Sequence, residues 1–141
     1  MPPDPWRTTC LPKTWWAMTC GSRPTFRQHI RPDGYSFLAQ MNDCLCDQIS
    51  IETAQTPLDT SVLEEVRGKT IMVGVLDLSD HTVETPEVIA QRIRRALPHA
   101  DADKVVVARD WGLKYLPRDV DFAKMQSMAA GAALVDAEHE A

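Results

Sequence analysis

A chain of 141 residues has room for one domain with a real core and little for a second. Hydrophobic residues make up 44% of it and charged residues 25%, a balance that favours folding over disorder. The net charge of −5 argues against a grip on nucleic acid, and no apolar run approaches the roughly 20 residues of a membrane span.

The opening Met1-Pro2-Pro3-Asp4-Pro5 lacks the basic-then-apolar order of a signal peptide, so a cytoplasmic protein is expected. In that compartment Cys10, Cys20, Cys44 and Cys46 are expected as thiols or metal ligands rather than disulfides. Residues 1–35 are rich in Pro, Arg and Thr, carry Trp6, Trp15 and Trp16, and show no sustained period. They read as an irregular arm in which only Thr14 to Cys20 suits a short strand.

From Ser36 onward the pattern is regular. Ser36 to Leu45 carries apolar residues on one helical stripe, and Gln48 to Glu52 alternates as a short strand. Asp59 caps a predicted helix to Arg67, closed by Gly68. Ile71 to Leu78 is nearly all apolar, as in a parallel strand covered on both faces. Thr85-Pro86-Glu87 starts a helix with a capping residue, a proline at its first position and an early acid; Pro98 follows its end at Leu97. Its basic run, Arg92, Arg94 and Arg95, reads as a solvated face. Lys104 to Ala108 is another buried strand, and Pro117-Arg118-Asp119 leads into a last helix through about Leu134, with Met125 and Met128 as core. Strands alternating with helices mean right-handed crossovers and a parallel sheet.

Four segments carry a likeness in their order and spacing. They are residues 47–55 (DQISIETAQ), 73–78 (VGVLDL), 83–87 (VETPE) and 110–118 (DWGLKYLPR). Together they resemble the C-terminal catalytic barrel of cobalamin-independent methionine synthases, nearer to the short stand-alone relatives than to the long two-barrel forms. The fold implied is α/β: about the last three to four units of a (β/α)8 TIM-type barrel, which needs eight strands. Residues 36–135 would be that portion, 1–35 an irregular arm whose descent from the barrel stays open, and 136–141 a frayed tail.

The resemblance implies methyl transfer from methyltetrahydrofolate to homocysteine, whose sulfur a zinc ion holds as thiolate. The family's zinc is held by a His-x-Cys pair, a Glu and a Cys close to the last strand. Glu52 matches the Glu. Cys20, followed by Gly21, matches the Cys of the pair, but Met18 stands where its His belongs, and His29 is not at the family spacing. Trp111 replaces the last Cys, and an indole has no lone pair to give a metal. Zinc is therefore expected to bind weakly or not at all.

His81 lies near the position of a proton-donating His in the long synthases, but that His aligns with Ser79, so a surface-loop role is the simpler reading. Trp15-Trp16 could stack a pterin or make an apolar contact, and Cys44-x-Cys46 reads as two small helix-end thiols. Three functions stay open. One is a methyltransferase, or a half working with a complementing barrel half. Another is a non-catalytic remnant that self-associates through its open sheet edge. The third is a truncated or frame-shifted product.

Overall fold

The computed structural model describes residues 16–19 (backbone only), 38–55, 58–79, 81–110 and 116–139. Four strands form one parallel sheet: β1 (Trp16–Thr19), β2 (Gln48–Glu52), β3 (Thr70–Gly74) and β4 (Val105–Ala108), neighbours in chain order. Among the described residues, three α-helices accompany them: α1 (Leu38–Met41), α2 (Pro86–Ala96) and α3 (Arg118–His139). The strand order never reverses, and the described helices pack on one face of the sheet. A barrel curls this way, whereas a doubly wound sheet has a switch point.

Register and the two-residue side-chain period sort the faces. Ile49, Ile71 and Val105 share one row, and Ile51, Val73 and Val107 another. These residues join Ile89, Ile93 and Val135 of α2 and α3 in the core. The opposite face carries Ser50, Met72 and Val106, then Glu52, Gly74 and Ala108.

Several elements differ from expectation. Among the described residues the first helix is only Leu38–Met41; it unwinds through i→i−3 bonds as Asn42 turns to bond the Glu65 carbonyl and the Arg67 amide. The segment after Asp59 is a 3-10 helix, Thr60–Glu65, not an α-helix. Asp59 does cap it, accepting from Ser61 N at 3.0 Å, and Gly68 adopts the left-handed φ of 73° that ends the excursion. Three residues per turn bring Thr60 and Leu63 to the core together, and Thr60 Oγ1 donates to the Arg95 carbonyl.

The apolar run at 71–78 outlasts its strand. Ladder pairing stops just past Gly74, where Val75 N still donates to the Ala108 carbonyl, while Val75 and Leu76 stay fully buried as loop. β4 is covered on one face only, since Val106 is 41% exposed. Arg92 does not belong to the solvated face: its Nη1 donates to the Val75 carbonyl (2.6 Å) and to Glu84 (3.0 Å). Nor does α3 end near Leu134. It continues to His139, and Arg94 grips Glu138 through two hydrogen bonds of 2.5 and 3.0 Å. Met125 and Met128 pack against the core as expected. Among the described residues no helix is long and apolar enough to cross a membrane.

Candidate functional site

The carboxyl ends of β2, β3 and β4 meet at the row Glu52, Gly74, Ala108. Glu52 closes its strand and is only 1% exposed. Just beyond it, Thr53 donates through both its amide and its hydroxyl to the Gly74 carbonyl, the latter at 2.7 Å. The next two amides, Ala54 N and Gln55 N, donate to the Asp110 carboxylate at 3.1 and 2.8 Å.

Asp110 follows β4 and is 2% exposed. Burial pushes its carboxyl up to about 6, against the pull of the amides of Gln55, Ala54 and Thr53. To reach from β4 to the loop after β2 it passes over β3 at Gly74. A Cβ on Gly74 would lie 2.1 Å from Asp110 Oδ1, so only glycine leaves the path open.

The loop after β3 is held from two sides. With its amide turned so that both groups find complementary partners, the Gln55 side-chain oxygen accepts from Leu78 N (3.1 Å) and Ser79 N (3.0 Å). On the other side Glu84 accepts from Asp77 N (2.7 Å), Arg92 and Lys124 Nζ (2.9 Å). Lys124 is fully buried and its ammonium also donates to the carbonyls of Asp77 and Thr82, so all three donors are used. Burial alone would raise the Glu84 carboxyl. The bonds from Lys124, the Asp77 amide and Arg92 outweigh it and hold the group below its usual range.

Of the residues singled out in the sequence, Glu52 sits at this rim and His81 lies exposed on the 77–84 loop. Cys20, Trp111, His29, Trp15 and the side chains of Met18 and Trp16 lie outside the described residues. The backbone carbonyls of Cys44 and Cys46 both accept from Lys69 Nζ. Among the described residues no cluster of three or more His, Cys, Asp or Glu side chains could hold a metal. Asp110, Gln55, Glu84 and Lys124 escaped the sequence reading. Only Lys124 left a signal, as a lone charge in the buried stripe with Ser127, Gly131 and Val135.

A family model described as the catalytic domain of the cobalamin-independent synthase matches residues 28–134. The chain belongs to this family. Its relatives include the methionine synthase of Thermococcus kodakarensis, 28% identical over 120 residues, which span 84% of this chain and 36% of the relative. That of Sulfurisphaera tokodaii is 32% identical over 111 residues, 78% of this chain and 33% of the relative. Among solved structures, a B12-independent methionine synthase from Shewanella sp. W3-18-1, in complex with selenomethionine, superposes with a TM-score of 0.70 at 34% identity. The match covers 72% of this chain and 30% of that one. The chain thus spans about a third of the length of the curated relatives it matches. The four-stranded sheet is part of a TIM-type barrel, as the sequence implied, and the rim at Glu52 lies at the strand carboxyl ends, where such barrels place their sites.

Proposed function

We propose that this chain is a methionine-synthase-type barrel segment that brings Glu52 and Cys20 to the place of the zinc site, with an incomplete metal shell. The reaction of the type is methyl transfer from methyltetrahydrofolate to homocysteine, and the zinc, when bound, holds the homocysteine sulfur as thiolate. The observation that supports the reading is Glu52, 1% exposed at the carboxyl end of β2 on the face away from the helices. The donor set does not fit zinc: two of its four positions carry Met18 and Trp111, a soft thioether and a ring without a lone pair. The chain on its own is then not a zinc methyltransferase. Catalysis of that kind needs the remaining strands of an eight-stranded barrel and two better ligands.

Metal analysis after dialysis against a mild chelator, paired with a homocysteine methylation assay, tests this. Far less than one zinc per chain and background methyl transfer are expected. One tightly held zinc per chain, lost in Glu52→Ala, would overturn the claim of an incomplete shell.

The runner-up function, association through an open sheet edge, draws on β4, an end strand of the described sheet, and on Val106 (41% exposed) and Phe122 (64% exposed). Light scattering at micromolar concentration should show dimers or larger species, and a compact monomer would remove this reading.

A further inference from the structure

The hydrogen bonds of the rim join three loops that are distant in sequence. Asp110, after β4, holds the amides of Ala54 and Gln55, after β2. The Gln55 side chain holds the amides of Leu78 and Ser79, after β3. From there Asp77 passes the connection to Glu84 and to Lys124 on α3. Each link uses a buried or half-buried group, so water competes poorly for the bonds.

We propose that Asp110 is a positioning residue for the strand-end site: its carboxylate sets the loop that follows Glu52 and, through Gln55, the loop that carries His81. The inference rests on reading these strand ends as the site, but loop order is measured without metal or substrate, so the two can fail separately. Two features favour positioning over plain packing. The Asp110 bonds fall two and three residues after Glu52, close enough to fix how that side chain leaves the strand. And Gln55 is both held and holding: its amide donates to Asp110 while its side chain accepts from the neighbouring loop.

Hydrogen exchange on the full chain tests the connection amide by amide. Leu78 is the cleaner reporter, since Ser79 N also donates to Asp77 Oδ1 at 2.8 Å. Asp110→Ala should speed exchange by about tenfold at Ala54, Gln55 and Leu78, the scale expected for loss of a charge-assisted bond, while α2 and α3 keep their protection. Asp110→Asn retains one acceptor oxygen and should restore most of it, which a merely space-filling role would not require. Gln55→Leu should free Leu78 and leave Ala54 and Gln55 protected. That variant also decides the matter if Asp110→Ala does not fold. Leu78 unchanged in either variant, or an asparagine variant exchanging as fast as the alanine one, would overturn the proposal.

Discussion

Gly74 and Asp110 occupy one another's space: the hydrogen of the glycine faces the carboxylate where any side chain would stand 2.1 Å from Oδ1 and 3.0 Å from the Asp110 Cα. The second distance involves backbone, so a side-chain swing alone cannot relieve it. Gly74→Ala should therefore cost about 1–3 kcal/mol, the usual range for overpacking a full site, in urea unfolding. A change within about 0.5 kcal/mol, typical of a bland surface site, would mean that Asp110 does not cross β3 here.

The same carboxylate makes stability depend on pH in an unusual direction. Its folded value of about 6 lies above the ordinary 3.8, so the folded chain holds the proton more tightly. Stability from this group is complete below the unfolded value and is lost as pH rises through about 6. The loss is on the order of 3 kcal/mol, at 1.36 kcal/mol for each unit. Glu84 works the other way: its lowered value gives stability present above its ordinary 4.5 and lost as pH falls through the folded value. Comparing the wild-type chain with Asp110→Asn separates the two. Between about pH 4 and pH 6.5 the wild type should lose stability relative to the variant, and parallel curves would refute the assignment.

Lys124 is fully buried, with its charge balanced by Glu84 at 2.9 Å. Lys124→Met keeps the stem and deletes the ammonium, leaving the carbonyls of Asp77 and Thr82 without this donor and Glu84 with the half-buried Arg92 as its one counter-charge among the described residues. Breaking such a pair from one side costs about 3–5 kcal/mol. Glu84→Gln should also destabilise, because its single amide oxygen can still accept from Asp77 and Arg92 but its NH2 then faces the buried Lys124 ammonium, which loses its acceptor there. The double variant should fall short of the sum, because the two groups share one interaction. Denaturant midpoints of the three variants measure this, and simple additivity would show the pair to be uncoupled.

Two substitutions test the reading of the metal shell. Trp111→Cys together with Met18→His would complete a shell of two Cys, one His and one Glu with Cys20 and Glu52. Zinc affinity should rise clearly, while methyl transfer stays at background because catalytic placement within about 1 Å needs the other barrel strands. Unchanged affinity in a zinc titration would show that the four positions do not converge. Appreciable methyl transfer would show a fuller active site than four strands allow.

What the residue pattern determined by itself is the order of elements and the family. The strand at Gln48–Glu52, the helix started by Thr85-Pro86-Glu87 and the position of Glu52 at a strand end were all legible, because each depends on neighbours a few residues away. Tertiary structure decided where pairing stops and which charges turn inward. Nothing in the apolar run 71–78 marks Gly74 as the last strand residue; that depends on β4, which ends at Ala108. Arg92, Arg94 and Arg95 look alike in the sequence, yet only Arg92 falls beside the Val75 carbonyl and Glu84. Asp110 and Gln55 are 55 residues apart and meet only because the register of three parallel strands brings their ends level. Hydrophobic periodicity reports burial and helical phase over a few turns, whereas a bond of that span is set by the register of whole strands.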